Sequence, residues 1–271
     1  DFVGEVISSL KVADTALIMV NASAGVEVGT ELVWEYVEKY QTPTIFVINQ
    51  MDHPKADFDA SLEQIKNRFG TKALPIQYPL NSGEGFNQII DALRMVMYQF
   101  PTTGGKPEKK PIPDSEIAKA NEMHNALVEI AAENEEGLME KYFEEGQLSE
   151  EELAQGLNIA LAKHDFFPVF VSSGLKDMGS GRIMGFIDDI APSPADRMGQ
   201  KLENGEFLKC DSNDKTSIFI YKTQSEPQVG IVSYFKVYSG ELKPGDELIN
   251  AENGEVERIS QIFIAEGKDR I

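Results

Sequence analysis

The chain has 271 residues, a formal net charge of −20, one cysteine and three histidines. That length suggests about two domains at roughly 100 to 200 residues each, with enough chain to bury a sizeable core. The acidity argues against wrapping nucleic acid through a broad basic face, which needs clustered Lys and Arg, so any RNA contact would be local. Cys210 alone excludes an internal disulfide framework and fits a reducing compartment, where no disulfide partner is expected, and no apolar run reaches the ~18 to 20 residues of a membrane span.

The opening DFVGEVISSL has neither a basic leader nor an initiating methionine and reads as a segment that starts inside a domain. TALIMVNAS (15–23), TIFVINQ (44–50) and FFPVFVSS (166–173) are continuous apolar runs rich in β-branched residues, which predicts strands covered on both faces, as in a parallel sheet. Between the first two, Leu32, Val33, Tyr36, Val37 and Tyr40 recur at helical spacing. LEQIKNRFG reads as a helix closed by Gly70, and KALPIQYPL as one further strand.

TTGGKPEKKPIP (102–113) reads as a connector, followed by a helix capped by Asp114 or Ser115 with Ala120, Met123, Leu127 and Ile130 on one face. Ser149 and Glu152 have the spacing of a capping box at the start of another helix. Residues 74–164 are therefore expected to be a mostly helical insert. Within it, 115–153 carries twelve Glu and two Lys, half of the net charge, as solvated helix faces or as a docking surface for a basic partner.

After the third run, Ile183, Met184 and Ile187 mark a short helix stopped by Pro192 and Pro194. Strand, helix, strand and again strand, helix predicts a doubly wound α/β domain. From Phe207 onward, short alternating strands separated by Ser239-Gly240, Pro244-Gly245 and Asn253-Gly254 predict an antiparallel sheet or barrel, with Cys210 at a core position.

Ligands of open α/β sheets bind at the carboxyl ends of strands. Asn49 to Asp52 and Ser172 to Leu175 occupy two such ends. A carboxylate there can accept from the N1-H and exocyclic amine of guanine, an edge adenine cannot imitate, and small residues such as Ser173 and Gly174 let a backbone N-H approach O6. An isolated Asn or Asp at such a place more often caps a turn or the next helix. No G-x-x-x-x-G-K-[ST] loop is present: GGKPEKK (104–110) sits in a connector and GSGR (179–182) lacks the Lys and the hydroxyl. His53, His124 and His164 have no metal-ligand spacing and no neighbouring nucleophile, and the Glu pairs fall on exposed helices, so no catalytic residue or metal site is assigned.

These strings resemble translation elongation factor G among the translational GTPases. DFVGEVISSLKVADTALIMVNASAGVEVGTELVWEYVEKY is similar to the segment after the family's D-x-P-G-H motif. INQMD resembles the guanine-reading N-K-M-D, SSGLKDMGSGRIMGFIDDIAPSP the second base-contacting loop, ENEEGLMEKYFEEGQLSEEEL the acidic insert, and VYSGELKPGDELIN the following barrel domain. The resemblance implies an incomplete P-loop GTPase-type α/β sheet over 1–196 with the insert at 74–164, then a truncated β-barrel over 205–271. It implies a monomeric cytoplasmic factor that binds GTP or GDP and promotes ribosomal translocation. The insert would contact the ribosomal stalk protein and the barrel the small subunit.

The same resemblance makes Asn49, Gln50, Asp52, Ser173, Gly174 and Leu175 the nucleotide-binding residues. It puts the P-loop, switches, catalytic histidine and Mg2+ contacts before Asp1, so this stretch alone is not expected to hydrolyse GTP. Gln50 stands where the family has Lys, and its shorter, neutral side chain covers the base less, at about 1 to 3 kcal/mol or one to two decades in affinity. The departure leaves open a ribosome-binding relative that acts without hydrolysis. A ribosomal protection or release-factor recycling GTPase would share most of these motifs.

Overall fold

A computed structural model describes residues 3–197, 199–227 and 230–266, with the backbone alone at 269–270. The chain divides into a unit of residues 1–197 and a unit of residues 198–271. The first begins with α1 (Val3–Val12), β1 (Ala16–Asn21), α2 (Val28–Tyr40), β2 (Thr44–Asn49) and α3 (Phe58–Phe69). Five short strands follow: β3 (Ala73–Pro75), β4 (Gln77–Pro79), β5 (Gln88–Asp91), β6 (Val96–Gln99) and β7 (Glu108–Lys110). Then come α4 (Ile117–Glu133), α5 (Glu136–Glu145), α6 (Glu150–Ala162), β8 (Phe167–Val171) and α7 (Ser180–Asp189).

A parallel sheet in the order β1-β2-β8-β3 organises this unit. The apolar runs of β2 and β8 are buried throughout because each face has its own cover. Phe46 and Ile48 pack with Trp34, Val37, Ile65 and Phe69 on one side, while Ile45 and Val47 pack with Leu127, Leu157, Phe170 and Phe186 on the other. Each large apolar side chain removed from water stabilises the sheet by about 1.5 to 3 kcal/mol, and the buried polar residue of β2, Thr44, has its hydroxyl satisfied by the Thr42 carbonyl. The remaining run behaves differently. In β1, Ala16, Ile18 and Val20 are buried but Leu17 and Met19 are 45% and 50% exposed, so the expected cover on both faces holds for one face only.

Two helix faces also differ from expectation. Trp34 and Val37 are the buried positions of α2 and Leu32 is exposed; in α7, Ile183 and Phe186 are buried while Met184 is exposed. In α2 the expected Val33, Tyr36, Val37 and Tyr40 do pack on the core and Trp34 takes the place expected of Leu32, while in α7 Phe186 is buried where Met184 and Ile187 are exposed. Gly70 closes α3 as expected.

KALPIQYPL is two strands in two sheets. β3 joins the parallel sheet, and β4 opens an antiparallel sheet β4-β5-β6-β7. The first part of 74–164 is thus β structure, with helices only from α4 onward, and β7 lies within the stretch that reads as a connector. α4 starts after Glu116, without a side-chain cap, because Pro113 to Glu116 forms a turn in which Glu116 N-H bonds the Pro113 carbonyl. Asp114 and Ser115 therefore do not cap it. The capping box on α6 is present: Ser149 accepts from Glu152 N-H while the Glu152 carboxylate accepts from Ser149 N-H.

In the second unit, β9 (Gln200–Lys201) pairs β10 (Phe207–Leu208), β11 (Ser217–Glu226) pairs β12 (Gly230–Ser239), β13 (Glu247–Ile249) pairs β14 (Val256–Arg258), and β15 (Ala265–Glu266) pairs β16 (Asp269–Arg270), all antiparallel. Cys210 is exposed, not in a core, because it follows β10 in a loop. Among the described residues no helix is long and apolar enough to cross a membrane.

His164, between α6 and β8, is buried with its ring 5.9 Å from that of Trp34 and edge-on to Phe167 at 4.7 Å. Burial holds its pKa below the usual imidazole value. The unfolded chain therefore takes up the proton at a higher pH than the fold does, and stability is complete above about pH 6.5 and falls as pH drops below it. Urea unfolding followed through Trp34, the chain's one tryptophan, is expected to lose up to about 1.4 kcal/mol per pH unit in that window. His164→Asn, which tolerates the residue's positive φ of 64°, should flatten the slope while lowering stability at all pH values.

Candidate functional site

Parallel register sets Phe46, Val47 and Ile48 beside Val169, Phe170 and Val171, so β2 and β8 end together. The backbones remain bonded past the last strand residues: Ser172 N-H donates to the Ile48 carbonyl and Met51 N-H to the Ser172 carbonyl, at 2.9 and 3.1 Å. Met51 is fully buried and anchors the turn. Gln50, before it, is exposed and lies in the left-handed region at φ 63°, and Asp52, after it, is partly buried.

Asn49 Oδ1 accepts from Ser172 Oγ at 3.0 Å and from Gly174 N-H at 2.9 Å, which ties the two loops together. Asp52 has a side chain only 13% exposed, accepts no hydrogen bond from the described residues, and faces Lys176 Nζ at 4.0 Å. The capping role that an Asn or Asp here would usually serve is filled by Asp57, whose carboxylate accepts from Ala60 N-H at the start of α3. Neither Asn49 nor Asp52 is used that way.

The second loop closes on itself. Ser173 is buried and pairs with Met178 through both backbone bonds, and Ser173 Oγ accepts from Lys176 N-H. Gly174 N-H is engaged by Asn49, whereas Leu175 N-H has no acceptor among the described residues and the Leu175 side chain is 92% exposed. The site thus brings together a carboxylate without a donor, a backbone N-H without an acceptor and an uncovered apolar side chain. Such a set suits a flat heterocycle with both donors and acceptors on its edge. Among the described residues no group of His, Cys, Asp or Glu could hold a metal ion.

All six residues expected from sequence therefore lie on two loops that Asn49 joins. Three others contribute that the sequence pattern did not single out. Lys176 faces Asp52, and Asn21, at the end of β1, donates to Gln50 Oε1 at 3.0 Å. Asn21 was detectable as a polar residue ending an apolar run, the same signal that marked Asn49. Gly104, part of GGKPEKK, has φ 87° and lies so close to the loop that a Cβ would meet the Lys176 carbonyl oxygen at 1.8 Å.

Residues 1–193 match the family described as elongation factor Tu GTP binding domain. The chain belongs to that family of translational GTPases. Among solved structures it resembles the crystal structure of ttk003000868 from Thermus thermophilus, at 30% identity and a TM-score of 0.82. That match covers 100% of this chain and 38% of the other. Family membership brings guanine nucleotide binding with it, and Asp52 with the free Leu175 N-H is chemically suited to a guanine edge.

The glycines of this GTP-binding domain separate by role. Gly179 has φ 90° and a Cβ there would lie 2.5 Å from the Val171 carbonyl oxygen, while a Cβ on Gly174 would meet nothing nearer than Asn49 Oδ1 at 3.6 Å. Gly104→Ala and Gly179→Ala are each expected to cost about 1 to 3 kcal/mol in thermal unfolding, and Gly174→Ala less than about 0.5 kcal/mol.

Proposed function

We infer that the chain supplies the guanine-reading part of a GTPase of the elongation factor G type, which promotes ribosomal translocation with GTP hydrolysis in the full-length protein. The observation that carries the base-reading part is the Asn49 tie between the loops, with Asp52 left free of hydrogen-bond donors while Asp57 does the capping. Asp52 accepts from the N1-H and exocyclic amine of the base, Leu175 offers its N-H to O6, Gly174 lets the backbone come close, Ser173 holds the second loop closed, and the Gln50 and Leu175 side chains flank the ring. Adenine would face the carboxylate with an acceptor and leave it unpaired in a mostly buried place, at a cost of about 1 to 3 kcal/mol or more.

Translocation as the process rests on the strings that resemble elongation factor G, above all the acidic insert. That segment folds as α4, α5 and α6 with its glutamates outward, which supports a surface for a basic partner such as the ribosomal stalk protein. The antiparallel unit would serve as the barrel that meets the small ribosomal subunit, in a monomeric cytoplasmic factor. Phosphate and Mg2+ contacts belong to residues outside this stretch.

The base reading is tested by Asp52→Asn in the full-length protein. An amide offers a donor where the carboxylate accepts, so GDP affinity is expected to fall at least about tenfold. Xanthosine diphosphate, which carries an oxygen in place of the exocyclic amine, should gain affinity. Equal binding of GDP by both proteins in a fluorescent-nucleotide titration would rule the assignment out.

A further inference from the structure

Gln50 is held by a residue whose own orientation is fixed. Asn21 Oδ1 accepts from both the backbone N-H and the hydroxyl of Ser23, each at 2.8 Å. The Ser23 N-H can only donate, so the oxygen of the Asn21 amide must face it. Its Nδ2 is then the atom that meets Gln50, and it donates to Gln50 Oε1 at 3.0 Å. The two residues sit at neighbouring strand ends, where Asn21 is in register with Asn49.

We propose that Asn21 is a positioning residue for nucleotide binding, matched to Gln50: it fixes the Gln50 amide with the oxygen turned toward β1 and the Nε2 donor left free beside the base. This rests on the guanine-binding reading of the site. Position 50 must then carry an acceptor toward β1. A lysine has three donors and no acceptor, so its ammonium would confront the Asn21 Nδ2, donor against donor. The longer stem gained by Gln50→Lys is opposed by that mismatch, and the opposition is removed by Asn21→Asp, which keeps an oxygen for Ser23 and turns a second one toward position 50. A base seated over Gln50 excludes water from this otherwise exposed pair, so the match acts on affinity more than on the stability of the free protein.

The test is a double-mutant cycle in the full-length protein, read as the Kd of a fluorescent GDP analogue with thermal midpoints as a check on folding. Gln50→Lys is expected to change affinity by less than about twofold alone and to raise it at least about three- to fivefold in the Asn21→Asp background. In a second cycle, Asn21→Ala should weaken binding in the parent but not in the Gln50→Ala background. Identical effects of Gln50→Lys in both backgrounds, or an equal effect of Asn21→Ala with and without Gln50, would overturn the role given to Asn21. Asp52→Asn is run alongside: if it lowers GDP affinity while the cycles show no coupling, only the Asn21 proposal fails, and if it leaves GDP affinity unchanged, both fail.

Discussion

The parallel pairing of β2 with β8 is the constraint on which the first unit depends. Both strands are buried on both faces, so their side chains alternate between two separate apolar clusters and their register cannot slip without turning every one of them to the wrong cluster. A fixed register makes the two strands end side by side. The polar residues that follow then meet at one edge of the sheet, where Asn49 completes its bonding with Ser172 and Gly174 rather than with a helix of its own.

β8 takes its place between β2 and β3 across the long intervening insert. The entropy of closing so long a loop grows slowly with its length, and the insert offsets it by covering the sheet: Leu127, Ala131, Leu157 and Leu161 from α4 and α6 form much of one cluster. A buried ion pair ties the insert to the helix that follows the site. Asp91, fully buried at the end of β5, accepts from Arg182 Nε of α7 at 2.7 Å and from Gln77 at 3.1 Å. Such a pair adds little net stability over an apolar contact, but removing one partner leaves an uncompensated buried charge, typically about 3 to 5 kcal/mol. Its effect is to hold α7, and so the 173–178 loop, against the antiparallel sheet.

The same logic separates the rigid from the adjustable parts of the site. Asn49, Met51 and Ser173 are held by several bonds or by burial, whereas Gln50 and Leu175 are exposed with few partners. The frame of the two loops is therefore fixed by the core, and the outer side chains can vary with less cost to the fold. Gln50 falls in the second group, its side-chain amide held by Asn21 from the end of β1.

What the sequence determined by itself was whatever depends on local pattern. The three apolar runs located the parallel strands, Ser149 and Glu152 marked a capping box, Gly70 a helix end, and Asn49, Asp52 and Ser173 stood out as polar residues ending buried strands. What only the tertiary structure decided depends on partners distant in the chain. Leu17 and Met19 are as apolar as their neighbours, yet no element of the described residues covers them; KALPIQYPL divides between two sheets at Ile76 because β8 and β5 lie on different sides of it. That Asp57 rather than Asp52 caps α3, and that Gln50 is tied to Asn21 across twenty-nine residues, are both contacts that only the fold brings about. Hydrophobic periodicity records how much of an element is buried, but hydrogen-bond direction and strand neighbours are properties of pairs, and a single chain read in order does not contain them.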